Sequence, residues 1–241
     1  MKTSNVLKSI TPKDNFLFLE TEGIKFQVYF LDENIIRFRG TFKEEFEEEL
    51  SYALVKTAWA DLTDEFFKDE RQRVKGLPFT LEEDENGYSV KTQKYVLKIN
   101  KSPFAFTIID LEGRIVHQDL AERGFQQNDL RQSIHYSTMG EKNYFYGFGE
   151  KSGELNKFKR RMRMHNTDSL GWNAQHSDPL YKMIPFYIKF DGQQNIASGI
   201  FYNDSCDTTF DIDCEHSNYW PRYSYFQSDG EEIDFFFIGG P

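Results

Sequence analysis

The stretch "FLFLETEGIKFQVYFLDENIIRFRGTF", residues 16–42, decides the fold class. Two short polar breaks, "EG" and "DEN", divide it into three segments. Within the middle segment Ile24, Phe26, Val28 and Phe30 alternate with other residues. A period of two places alternate side chains on opposite faces of a pleated strand, so this reads as three strands with one apolar face. Working outward, the same pattern recurs along the chain. "SYALVKTAW" (51–59) reads as a strand, and "EDENG" (83–87) as a turn. Three or four strands follow within 88–120, broken at "NKSP" and "LEG". "NYFYGFGE", "KFKRRMRMHN", a hairpin turning at "DGQQN", and "TTFDIDCE", "SNYWPRYSYFQSDGE" and "IDFFFIGGP" continue the series. The acidic block 43–50 reads as a solvated helix or loop, and the polar region 121–142 as a loop or short helical turn. There is no internal repeat and no sustained helical period. Many short, evenly spaced strands predict an all-β protein, most simply a large two-sheet β-sandwich.

Composition agrees. Of 241 residues 17 % are aromatic, including 24 Phe and 13 Tyr, and such side chains suit a pleated surface. With 39 % hydrophobic and 28 % charged residues the chain has the balance of a soluble globular protein. A formal net charge of −10 disfavours nucleic acid as a partner. No apolar run is long enough to span a bilayer and the N-terminus has no apolar signal core, so the expectation is a cytoplasmic protein without a membrane partner.

Little in the sequence carries recognisable chemistry. Cys206 and Cys214 lie outside any CxxC pattern and read as reduced thiols in or near strands. The five histidines (117, 135, 165, 176 and 216) show no HxH or HExxH spacing and read as surface or satisfied structural residues. Neither a nucleophile elbow nor a full GxGxxG is present. The glycines of "GFGE" (147–150) read as a bend or a close backbone approach at a strand end. In "KFKRRMRMH", Lys157, Lys159, Arg161 and Arg163 fall on one strand face, with Phe158, Arg160, Met162 and Met164 on the other. The acidic "NDSCDTTFDIDCEH" (203–216) lacks calcium-loop spacing and reads as a strand whose wet face carries Asp211, Asp213 and Glu215. No metal site and no cofactor are expected. One stretch remains: "RMRMHNTDSLGWN" (161–173) turns from alternating strand to polar loop. Either it is a turn with Trp172 packed back on the protein, or Asp168 accepts hydrogen bonds from sugar hydroxyls beside a stacking Trp172. Spacing does not choose between them.

The ordered motifs around that loop resemble those of the N-terminal domain of glycoside hydrolase family 31, the α-glucosidase and α-xylosidase family. They are Gly147–Glu150 (GxGE), the basic stretch in Leu155–Arg163, Asn166–Asp168 (NTD), Ser177–Tyr181 (SDPLY) and Ile184–Phe186 (IPF). "SYALVKTAW", "FYNDSCDTTFDID" and "IDFFFIGGP" are similar to other strands of that domain, so the resemblance runs from about residue 20 to the end. It implies a galactose-mutarotase-like β-supersandwich over residues 1–241, preceding a catalytic (β/α)₈ barrel for which 241 residues leave no room. It implies hydrolysis of α-linked glucosides or xylosides with retention, by two aspartates of that barrel and not by this chain alone. It assigns Asp168 to substrate hydroxyls near the −1 subsite and Trp172 to the outer subsites. His165 stands where many relatives have Trp. The expected partners are the sugar substrate and the chain's own barrel. A docking face left open would promote self-association, and so a homo-oligomer. The alternative is a stand-alone carbohydrate-binding or interaction module; a mutarotase-like epimerase follows from fold analogy only.

Overall fold

The alternation of the opening stretch is realised strand by strand. Phe26, Val28 and Phe30 are fully buried, and so are Leu17 and Leu19 before them and Ile36 and Phe38 after them. The computed structural model describes residues 1–67 and 71–240. Its largest sheet has eight antiparallel strands, in spatial order β15 (Asn143–Gly149), β17 (Met183–Asp191), β18 (Ile196–Tyr202), β21 (Glu232–Gly239), β5 (Ile35–Thr41), β4 (Lys25–Asp32), β3 (Phe16–Thr21) and β2 (Leu7–Pro12).

Opposite its apolar face lies a second layer, which is divided in two. A six-stranded sheet runs β1 (Lys2–Thr3), β13 (Phe125–Gln127), β14 (Ser133–Thr138), β20 (Tyr223–Ser228), β19 (Thr208–Ile212) and β16 (Arg160–Met164). A five-stranded sheet runs β12 (Ile115–Gln118), β11 (Phe104–Asp110), β10 (Tyr95–Lys101), β9 (Gly87–Lys91) and β8 (Thr80–Glu83). An isolated bridge between Asp119 and Ser137 stitches them together. A single core lies between the layers. Phe26 of the eight-stranded sheet makes ring contacts with Phe104 and Phe106 of one partner sheet and Phe125 of the other, at 5.6, 5.2 and 4.7 Å. Flat side chains of this size span the roughly 10 Å between packed sheets and favour such tilted contacts. The expected sandwich is therefore present.

The other face of the eight-stranded sheet is not solvated at its centre. Arg37 is wholly buried there, paired with Asp234 (2.7 Å) and Glu49 (2.9 Å), with its guanidinium 3.7 Å over the Trp59 ring. Glu49 and Trp59 lie over this face, in a segment that also holds the two-residue parallel pair β6 (Lys56–Thr57) and β7 (Gln72–Arg73) and the short α1 (Asp64–Phe67). Two readings are corrected here. "SYALVKTAW" forms only two residues of strand, and its Trp59 ring lies against the buried arginine. The block 43–50 is not wholly solvated: Glu49 neutralises both Arg37 and Arg39.

The region 121–142 is also corrected, since it holds β13 and β14. Both faces of β14 are covered, so alternation vanishes. His135 faces the core, while Ile134 and Tyr136 join Leu120, Tyr223 and Tyr225 in a second cluster on the outer face. The buried polar atoms find partners: His135 Nδ1 lies 2.8 Å from the Tyr202 hydroxyl, and its Nε2 2.9 Å from Asp119 Oδ1, which also lies 3.2 Å from His117 Nε2. A polar sequence with satisfied hydrogen bonds is as buried here as an apolar one.

Candidate functional site

The loop 165–182 leaves β16, the edge strand of one layer, and enters β17 of the other. Upstream of it, "GFGE" forms a bulge. Gly147 and Gly149 take φ of +126° and +76°, and the pairing with β17 slips between them. A Cβ at either would fall 2.7 or 2.5 Å from a backbone oxygen of the neighbouring chain, so both positions require glycine. The close-approach reading of these glycines is correct. Phe148 between them is fully buried and stacks on Tyr187 at 5.0 Å.

The base of the loop is clamped. Lys151 Nζ donates to Asp178 Oδ1 (2.7 Å) and to the Arg163 carbonyl (2.5 Å), while Asp178 Oδ2 accepts from the Arg163 amide (2.6 Å). Asp207 receives Arg163 Nη2 at 2.8 Å and lies 2.7 Å from His165 Nδ1. His165 first, then Arg163, holds the Asp207 carboxyl below its ordinary range. The second half of the loop turns on Asn173, whose Oδ1 accepts from the amides of Gln175 and His176.

From this base the tip 167–172 projects outward. Trp172 is 62 % exposed and makes no ring contact among the described residues, which rejects the reading in which it packs back on the protein. Gly171 sits at φ +70° with open space around it. Asp168 is exposed; one of its carboxylate oxygens accepts a hydrogen bond from the Tyr181 hydroxyl, and the other has no partner among the described residues. That bond, with a smaller contribution from desolvation, raises the Tyr181 pKa and keeps the phenol a donor. The structure thus brings Asp168 and Tyr181 together, and places Trp172 on the same tip without contact to either. Tyr181, Lys151 and Asp178 were missed as partners of the loop. Tyr181 and Asp178 were signalled only by their membership in the motif series and Lys151 by nothing, because the pairings cross 13, 27 and 15 residues of sequence.

Two other readings change. Lys157 is not on an exposed strand face: β16 begins at Arg160, and Lys157 is buried, donating to the carbonyls of Lys151, Ser152 and Glu154. Asp211 and Asp213 are buried rather than wet. Asp211 accepts Arg161 Nε at 2.7 Å and the amides of Cys214 and Glu215 just past the strand end. The two cysteines are free and lie near a strand as expected, each two residues from an end of β19, and both are exposed. His117, Asp119 and His135 do gather within 4.8 Å although no sequence spacing announced it. Their polar atoms bond one another across β12 and β14, the satisfied structural role expected of histidines here.

The family is settled by a match to the model of the glycosyl hydrolase 31 N-terminal galactose mutarotase-like domain over residues 25–211. The chain belongs to that family. Its relatives include alpha-glucosidase 2 of Bacillus thermoamyloliquefaciens, 30 % identical over 162 residues, which is 67 % of this chain and 20 % of the relative. An alpha-glucosidase of Saccharolobus solfataricus is 35 % identical over 74 residues, 31 % of this chain and 10 % of that protein. The fold matches a glycoside hydrolase family 31 dextranase of Flavobacterium johnsoniae, solved with isomaltotriose, with a TM-score of 0.82 at 22 % identity over 100 % of this chain and 27 % of that one. This family 31 domain therefore spans only a small part of its relatives' length, 20 % and 10 % of the two alpha-glucosidases and 27 % of the dextranase.

Proposed function

We propose that the chain serves as the non-catalytic N-terminal sandwich of a retaining α-glycosidase acting on α-linked glucosides or xylosides, and that its 165–182 loop completes the sugar pocket of an adjoining catalytic barrel. Asp168 accepts hydrogen bonds from substrate hydroxyls near the reacting sugar, and Trp172 offers a ring to an outer sugar. The observation that carries this reading is the loop itself: a clamped base, an unpaired carboxylate oxygen on Asp168 and a bare indole on one exposed tip. A rigid base with a projecting polar tip suits a contact made across a domain boundary, because little order must be imposed when the partner arrives.

The neighbouring surface supports it. Ile184 and Ile188 alternate along the outer face of β17 and are 51 % and 42 % exposed, and Tyr144 and Phe190 lie beside each other at 6.1 Å. An apolar stripe next to a functional loop fits a docking face for another domain. Expression of a polypeptide extending through the barrel should give hydrolysis of p-nitrophenyl α-glucoside or α-xyloside, with none from residues 1–241. Hydrolysis by the 241-residue chain, or inactivity of the longer one on every α-glycoside, would reject the proposal.

A further inference from the structure

On the outer face of the six-stranded sheet is an open cavity of about 540 Å³, lined among others by Asn5, Glu122, Arg123, Gln126 and Trp220. Its size is that of a small-molecule site. Two features set it apart from a surface crevice. Gln126 on β13 is only 3 % exposed, yet its carboxamide has no hydrogen-bond partner among the described residues. Asn5 also lines the cavity, and its side-chain oxygen is buried without a partner. A buried carboxamide oxygen is normally satisfied, so the unpartnered Asn5 Oδ1, beside a Gln126 amide that bonds no described residue and opens on the same cavity, calls for an external partner. The cause is in the backbone. Asn5 is held in place by the Phe104 amide on its carbonyl (2.8 Å), and Gln126 is fixed by pairing with Thr3.

The remaining walls define the ligand. The Trp220 ring is half-buried against the aromatic cluster of Leu120, Ile134, Tyr136, Tyr223 and Tyr225. Arg123 is anchored by the Tyr136 hydroxyl (3.0 Å) and lies 5.8 Å from the indole centre, so the wall is preorganised. Arg123 and Glu122 offset each other in charge, and the terminal ammonium of Met1, which also lines the cavity, is paired with Asp129 at 2.7 Å, so the walls do not favour a phosphate or another anion. Unpaired amides do not favour a purely apolar ligand either. A carboxamide supplies two donors and an acceptor, and a sugar hydroxyl both donates and accepts.

We propose that this cavity is an accessory saccharide-binding site in which a neutral sugar ring stacks on Trp220 and is hydrogen-bonded by Gln126, Asn5 and Glu122. It is separate from the Asp168 loop. Trp220 lies in the connection between the Ile212 end of β19 and the Tyr223 end of β20, whereas the Asp168 loop leaves β16 at the Met164 end, which pairs with Thr208. The two positions are therefore at opposite ends of the six-stranded sheet, and the proposal does not rest on the role given to Asp168.

The test is a titration of the 241-residue chain with maltotriose and isomaltotriose, following the three tryptophan indole N–H resonances by NMR. The Trp220 signal should shift saturably, with a dissociation constant on the order of 1 mM. Gln126→Leu, which keeps the volume but removes the amide, should weaken binding about tenfold, and Trp220→Ala at least as much. Asp168→Ala should leave it unchanged. No saturable Trp220 shift with either sugar up to roughly 50 mM, a shift confined to Trp172, or undiminished binding by Gln126→Leu would overturn the proposal. If Trp220→Ala fails to fold, the Gln126→Leu result decides.

Discussion

Lys151 and Asp178 form a shielded ion pair, 2.7 Å between Nζ and Oδ1, with the lysine side chain 2 % exposed. It ties the connection between β15 and β16 to the second half of the Asp168 loop. Replacing Lys151 with Met leaves the Asp178 carboxylate without its cation in a largely shielded position. Losing one partner of such a pair costs about 3 kcal/mol. Urea unfolding of Lys151→Met should show a loss of that order, together with faster amide exchange at Arg163 and Thr167. Unchanged stability and unchanged exchange would mean that the clamp does not order the loop.

A second buried pair predicts a larger effect at a distance from the loop. Asp234 holds Arg37 through two hydrogen bonds of 2.7 Å on the covered outer face. Asp234→Ala strands a fully buried guanidinium that Glu49 alone neutralises, which should cost about 3–5 kcal/mol. A loss below about 1 kcal/mol in denaturant unfolding would show that Arg37 reaches water or another anion.

The buried His117 sets the acid limit of stability. Burial holds His117 below its ordinary value of 6.5, despite Asp119 beside it. Folded protein therefore keeps His117 neutral where the unfolded chain already protonates, so the unfolded state binds more protons and stability falls as pH drops below about 6.5. Burial alone would raise the Asp119 carboxyl, but its hydrogen bonds to His117 and His135 outweigh this and hold it below 3.8. Its contribution is kept at mild acidity and lost only lower down. The melting temperature should drop between about pH 7 and about pH 5, and the drop should be smaller in His117→Gln. Equal slopes for the two proteins would remove His117 from the account.

Much of the architecture could be read from residues 16–42, because a strand buried on one face writes its geometry as period two. The strands that escaped notice are those covered on both faces. In β14, Ser133, His135 and Ser137 are buried among hydrogen bonds, and polarity then imitates a loop. The same blindness made Asp211 and Asp213 look wet, since the sequence does not display Arg161 across the sheet. At the site, Asp168 and Trp172 stood out as loop residues, and the motif order singled out their loop. The clamp beneath them was hidden because each pairing joins positions distant in sequence. The open cavity beside Trp220 left no trace of any kind, for the unpartnered Asn5 oxygen is a property of position and not of pattern.

The apolar stripe on β17 predicts that the 241-residue chain self-associates and binds a hydrophobic dye. Ile184→Lys with Ile188→Lys should lower both, by sedimentation and dye fluorescence, with little change in stability because the two side chains are largely exposed. A monomeric, dye-silent wild-type chain would argue against an uncovered docking face.

The central claim is that Asp168 reaches a sugar bound elsewhere in the polypeptide. It is tested most directly by kcat/KM of the enzyme containing the barrel, with Asp168→Ala, on a p-nitrophenyl α-glycoside. A charge-assisted hydrogen bond to substrate of about 2 kcal/mol predicts a fall of roughly 30-fold or more, with the melting temperature unchanged. A wild-type kcat/KM in the folded variant would contradict it.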